Sequence, residues 1–258
     1  MTYVDEIVSS ALALSYAARW DQALRLLDAF PADARTAAAA AEVAAECDWH
    51  TGSALGLARL ETADRICGPT WDLAFLRLKH DYMTALRGPD GYRFGPDGKD
   101  PQVLTEMRAR CGRLATETTS LVRQGWAHMY LGLIADNHFA QRDVSPRHYE
   151  LALRAATGGG DDLLAREALR HLGDHDRNRG DLTSAGQRWE LATTLGARSG
   201  LVCGTLAQQM LLAVLARDLG DDSGADRLAG EIARWARALG LPRLTQQADS
   251  FLAGARAA

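Results

Sequence analysis

The stretch Leu169–Ala192, LRHLGDHDRNRGDLTSAGQRWELA, decides the fold. Its first part carries Leu169, Leu172 and Gly173, a Gly180-Asp181 turn follows, and its second part carries Ala185, Trp189 and Ala192. Residues three or four apart share one face of a helix, so each part presents a single packing stripe. Gly173 and Ala185 let two helices approach closely, while Leu172 and Trp189 fill the space beside them. One such hairpin cannot bury its apolar face alone, which predicts neighbours of the same kind.

The flanks supply them. Upstream, Leu131-Gly132 follows His128, and Tyr149 and Ala152 sit where Trp189 and Ala192 sit. Downstream, Leu212-Ala213, Gly220-Asp221 and Ala225 repeat the pattern. Gly132 to Gly173 is 41 residues and Gly173 to Ala213 is 40, a regular period. The N-terminal half is looser. Arg19-Trp20-Asp21-Gln22-Ala23 with Leu27 and Phe30 reads as a turn and second helix stopped by Pro31. Helical pairs follow around 33–66 and 70–118, and Pro242 opens a last amphipathic segment through Leu244, Ala248 and Leu252.

These motifs resemble the tetratricopeptide repeat, over 121–240 most closely and over the rest loosely. The long period is similar to the helical sensor regions of large bacterial transcription activators. The chain departs from the repeat at its eleventh position, where Ala135, Asp176 and Ala216 stand in place of the usual aromatic. The resemblance implies an all-α fold: one right-handed α-solenoid over 1–258, with about six hairpins and a C-terminal capping helix. It also implies that the first helix of each pair lines a concave groove where ligands lie.

Composition excludes several function classes. The chain has 258 residues, 47% of them hydrophobic, with a net charge of −4, so it lacks the basic footprint of a nucleic-acid binder. Its N-terminus has neither a basic region nor a long apolar run, which argues against secretion or membrane spanning. Cys47, Cys67, Cys111 and Cys203 are far apart and form no C-x-x-C pair, so neither a zinc site nor a disulfide framework is expected. A reducing, cytoplasmic compartment fits them. No cofactor motif is present, and Gly158-Gly159-Gly160-Asp161-Asp162 lacks the Lys-Ser/Thr ending of a phosphate loop.

Segment 88–100 interrupts the array. Gly88-Pro89-Asp90-Gly91 and Gly95-Pro96-Asp97-Gly98 are tight-turn sequences bracketing Tyr92, Arg93 and Phe94. The segment is either a surface excursion or a lid carrying those three side chains over the groove.

Carrying the groove register over gives Trp126, Met129, Leu133, Asp136 and Asn137, then Glu167, Arg170, Asp174, Arg177 and Asn178, then Met210, Val214, Arg217 and Asp218. Such a wall either holds a ligand with polar and apolar parts or is a solvated face whose charges pair. The densest polar run is His171-Leu172-Gly173-Asp174-His175-Asp176. Its histidines either tie adjacent repeats together or, with a buried carboxylate, act as general bases. A metal is a weaker reading, since the H-E-x-x-H form is absent. His80, Asp81, Asn137, Asp174 and His175 would converge in one cavity if the array curls tightly.

Two function classes follow. One is a binding scaffold holding a peptide, a partner protein or a regulatory small molecule. The other is an enzyme on the same scaffold, using His175, Asp174 or His80 on a small substrate. An open wet groove would favour the first, and an enclosed one small-molecule chemistry. The oligomeric state is open.

Overall fold

The computed structural model describes residues 3–30, 33–88 and 91–254. Pro31, read as a helix stop, and the Pro89-Asp90 turn lie outside them. Among the described residues there are thirteen helices: α1 (Tyr3–Tyr16), α2 (Trp20–Asp28), α3 (Ala34–Thr51), α4 (Gly56–Cys67), α5 (Trp71–Leu86), α6 (Pro101–Thr116), α7 (Leu121–Phe139), α8 (Ser145–Gly159), α9 (Asp162–Asn178), α10 (Leu182–Arg198), α11 (Val202–Asp218), α12 (Asp222–Ala238) and α13 (Pro242–Leu252). Each packs on the next in the chain. None is long and apolar enough to cross a membrane. The pair expected around 33–66 is α3 and α4. The pair expected around 70–118 is α5 and α6, with 88–100 between them.

The period has a local cause. Gly160, Gly180, Gly200, Gly220 and Gly240 recur every 20 residues, all at φ between 67° and 87°. That left-handed conformation ends each helix where a Cβ would be strained. Asp161, Asp181 and Asp221 then cap the next helix, their carboxylates accepting from Leu164, Ser184 and Gly224 backbone N–H groups at 2.9, 3.0 and 2.8 Å. Two such units make one hairpin of about 40 residues.

The hairpins close on complementary volumes. A Cβ added at Gly173 would lie 2.4 Å from Trp189 Nε1, and one at Gly132 would lie 2.5 Å from Tyr149 Cε1. Forty residues beyond Trp189 stands Ala229, and there the facing position is Ala213. Both are fully buried. A large residue meets glycine, a small one meets alanine, and the interior stays filled.

Contacts between next-but-one helices run through the odd-numbered row, α1–α3–α5–α7–α9. The array therefore bends toward those helices, and the even-numbered ones sit outside. The bend brings the two ends together. Ile7, Trp20, Leu27 and Val43 share one apolar core with Met210, Ile232, Leu244 and Phe251, and α13 packs on α3.

The described residues on either side of the Pro89-Asp90 turn strap this closure. Strands β1 (Arg87–Gly88) and β2 (Gly91–Tyr92) pair antiparallel, with Arg87 opposite Tyr92. The Tyr92 hydroxyl accepts from Arg243 of α13, whose guanidinium lies 4.7 Å from the Tyr92 ring centre. Arg87 Nη2 donates to the Asp48 carbonyl at 3.0 Å, and the Trp49 ring centre is 6.3 Å from that of Tyr92. The base of the loop is fixed by Gly95 N–H on the Asn137 carbonyl, at 2.9 Å, and by Lys99 Nζ, 2.8 Å from His138 Nδ1. Arg93 donates to the Gly98 carbonyl at 3.1 Å, and Phe94 is exposed.

Candidate functional site

The inner wall is built by the odd-numbered helices. Glu42, Glu46 and His50 stand four residues apart on one face of α3, in a helix otherwise rich in alanine. Lys79 of α5 meets Glu46 at 3.2 Å, and His50 Nε2 lies 3.9 Å from the other oxygen of that carboxylate. From α9, Glu167 pairs with Arg166, which also donates from Nη2 to the Gly204 carbonyl at 2.8 Å. His171 lies 3.4 Å from Glu167 and 3.7 Å from Asp174, and stacks on Tyr149 with ring centres 5.1 Å apart. Arg170 Nη1 is 3.1 Å from His171 Nε2.

These groups act on one another across the array. Burial disfavours the Glu46 charge, yet Lys79 and His50 hold its pKa below the usual value, while Glu167 of α9 pushes the other way. Burial opposes the Glu167 charge too, and Arg166 overcomes it, holding that carboxyl well below the usual range. Burial is likewise the largest influence on Lys79, yet Glu46 raises its pKa. Burial raises Glu42, and burial together with Arg166 and Arg243 lowers His50, against Glu46 and Glu167. Burial raises the Tyr82 and Tyr130 phenols. The side chains of Glu46, Lys79 and Glu167 nevertheless keep 31%, 23% and 23% of their exposure. Groups surrounded by protein yet reached by solvent describe a recessed, wet wall carrying both signs of charge.

Glu167, Arg170 and Asp174 of the groove register lie on this wall. The other register positions lie elsewhere. Met129 and Met210 are fully buried, and Leu133 and Val214 nearly so; all four belong to the apolar cores. Trp126 Nε1 donates to Asp161 at 3.1 Å, which ties α7 to the cap of α9. Asn137 Nδ2 donates to the Tyr82 hydroxyl at 2.6 Å. Arg177 pairs with Asp218 at 2.5 Å beside a shallow depression that Asn178, Gly180 and Leu182 complete. Arg217 stacks 3.4 Å over the Phe251 ring and pairs with Asp226 at 2.8 Å.

The expected meeting of His80, Asp81, Asn137, Asp174 and His175 is replaced by separate pairings. Asp81 pairs outward with Arg110 of α6 at 2.6 Å, and His80 makes no hydrogen bond or ion pair among the described residues. His175, only 7% exposed, sits between α7 and α8: its Nε2 lies 2.9 Å from Asp136 Oδ2 and 3.1 Å from Ser145 Oγ. The Tyr149 hydroxyl also donates to Asp136, at 3.1 Å. One ring nitrogen faces both partners, so the imidazole cannot pass a proton from Ser145 to Asp136, which would require its two nitrogens. Asp176 is buried, accepts from Arg179 through Oδ1 and forms an ion pair with Arg188 through Oδ2. No group of three or more His, Cys, Asp or Glu with metal-binding geometry occurs among the described residues.

The His175 network gives a direct expectation. Burial opposes the Asp136 charge, and His175 is the strongest group holding its pKa low. His175→Ala leaves that carboxylate short of a partner and should cost about 1–3 kcal/mol in urea unfolding. A loss under about 0.5 kcal/mol would contradict the structural role.

Sequence reasoning overlooked Glu42, Glu46 and Lys79. The available signal was the four-residue spacing of Glu42, Glu46 and His50 along an alanine-rich helix. Comparison with known families and characterised proteins finds no match to this chain. Fold and wall together define its class: an all-α chain of consecutively paired helices, compatible with a helical repeat.

Proposed function

We propose that this protein is a ligand-binding scaffold: a right-handed, tetratricopeptide-like array of six hairpins and a cap whose concave wall holds its ligand. The observation that carries this reading is the closure of the array, α3 against α13, around a wall of charges reached by solvent. A closed wall suits a short peptide or a small polar molecule better than a folded partner. Keeping Glu46, Lys79, Arg166 and Glu167 recessed is expensive for a protein that needs only a core, because hydrophobic residues of similar volume would serve stability equally well. A catalytic reading draws less support, since His175 is engaged in packing and Ser145 is fully buried.

Native mass spectrometry of the full chain, incubated with pooled short peptides and small polar metabolites, tests this. The expected result is a bound species the size of a short peptide or smaller, weakened by Lys79→Gln. Capture of only a folded protein, unaffected by that variant, would overturn the reading.

A further inference from the structure

The α7–α8 hairpin holds a pair of histidines that neither the wall nor the core uses. His128 Nδ1 lies 3.3 Å from His148 Nδ1, with the ring centres 5.5 Å apart and the planes inclined at 30°. The Nδ1 corners therefore converge while the rings themselves stay apart. Both side chains are half-buried, and among the described residues neither makes another hydrogen bond or an ion pair. The repeat does not ask for this pair. In the next hairpin the corresponding positions, counted from Gly173 and Trp189, hold Leu169 and Arg188.

Two nitrogens at this separation admit either one proton or one cation between them. With the proton, one Nδ1–H donates to the other Nδ1. With the cation, both Nδ1 lone pairs serve as ligands. Tetrahedral zinc binds imidazole at about 2.0–2.1 Å, which sets neighbouring nitrogens about 3.3–3.4 Å apart. The observed distance matches that edge. Coordination needs no net loss of a proton, because a neutral imidazole bound through Nδ1 carries its hydrogen on Nε2. Neither Nε2 has a protein partner among the described residues and neither is sealed, so water can accept from it. Burial holds both imidazoles below the usual pKa, and at His148 the charges of His128 and Arg147 add to it, so both rings are neutral at pH 7. The backbone that carries them is fixed: Tyr149, next to His148, is fully buried against Gly132, one turn from His128.

Independently of the scaffold reading, we propose that His128 and His148 form a two-histidine site for a divalent transition-metal ion of the zinc class, bound through both Nδ1 atoms. No group of three or more His, Cys, Asp or Glu with metal-binding geometry occurs among the described residues, so water fills the remaining positions. An open shell with no carboxylate behind either ring marks an ion that exchanges with solvent rather than one the chain folds around.

Zinc titrated into the full chain tests this, by calorimetry and by nitrogen NMR of the histidine side chains. One ion per chain is expected, moving the Nδ1 signals of two histidines and fixing both as Nε2–H tautomers. His128→Gln and His148→Gln should each weaken binding about tenfold or more, since each removes one of two protein ligands. His80→Gln and Cys67→Ser, which remove a partly exposed imidazole and a partly exposed thiol elsewhere, should leave the affinity unchanged. Magnesium should not compete, because it takes oxygen ligands. Circular dichroism establishes that each variant is folded, and the NMR signature is read on the unaltered chain.

Zinc binding that persists in both glutamine variants, or that leaves the two Nδ1 signals unmoved, would overturn the site. So would the absence of saturable binding at millimolar zinc, which would reduce the pair to a hydrogen bond between two rings. Neither outcome touches the scaffold reading, which rests on other residues.

Discussion

Trp189→Ala is expected to lose about 3–5 kcal/mol of stability, the range for removing a buried large aromatic. Trp189 is 1% exposed, its indole lies against the bare backbone of Gly173, and its Nε1 donates to the Arg170 carbonyl at 2.9 Å. The side chain therefore fills the α9–α10 interface and also fixes the segment that carries Arg170 onto the inner wall. Trp189→Phe keeps much of the volume but drops the hydrogen bond, which alone is worth about 1 kcal/mol. Leu191→Ala, at a residue 49% exposed, should move stability by no more than about 0.5 kcal/mol. Urea unfolding at pH 7 separates the three. A Trp189→Ala loss below about 1 kcal/mol would show that the large-against-glycine fit does not hold the hairpin together.

Acid should weaken the fold well before ordinary carboxylates titrate. His138 is fully buried at the end of α7, with Lys99 Nζ 2.8 Å from Nδ1 and the Tyr82 ring centre at 4.9 Å. Burial first, and then the Lys99 charge, push its pKa down to about 4. The folded chain thus keeps this imidazole neutral where the unfolded chain protonates it, near pH 6.5. A depressed pKa contributes stability that is present above the unfolded value and lost as pH falls toward the folded one. Between pH 6.5 and 4 the loss from this site amounts to about 3 kcal/mol. Burial lowers His50, His128 and His148 as well, and they act in the same direction. Against burial, Arg166 and His175 hold Glu167 and Asp136 low, so their contributions are lost further down, as pH falls below the usual carboxylate range. Glu42, raised by burial, works oppositely. His138→Gln keeps an acceptor for Lys99 and removes the titration. Its urea midpoints from pH 7 to 4 should fall less steeply than those of the parent. Parallel curves would show that His138 is not the source.

The repeat was legible where local chemistry and packing agree. Gly173, Trp189 and the Asp-capped turns declare a hairpin because only small residues fit a close crossing and only glycine relaxes at positive φ. The inner wall was less legible. Register placed Met210 and Leu133 in the groove because an odd-numbered helix touches neighbours on several sides, and a helical period cannot say which apolar stripe meets core. His171 and His175 share a face by spacing, yet they part around the Tyr149 ring, one toward the wall and one toward Asp136.

Local spacing by itself determined that this chain is helical, paired and periodic, since propensity, capping and the alternation of large with small residues act within neighbouring turns. Only the tertiary structure decided that the row bends until α3 meets α13, and that Glu46 of α3 comes within electrostatic reach of Glu167 of α9, more than a hundred residues further along the chain. Curvature accumulates from small offsets at every helix contact, and no short stretch of sequence records their sum.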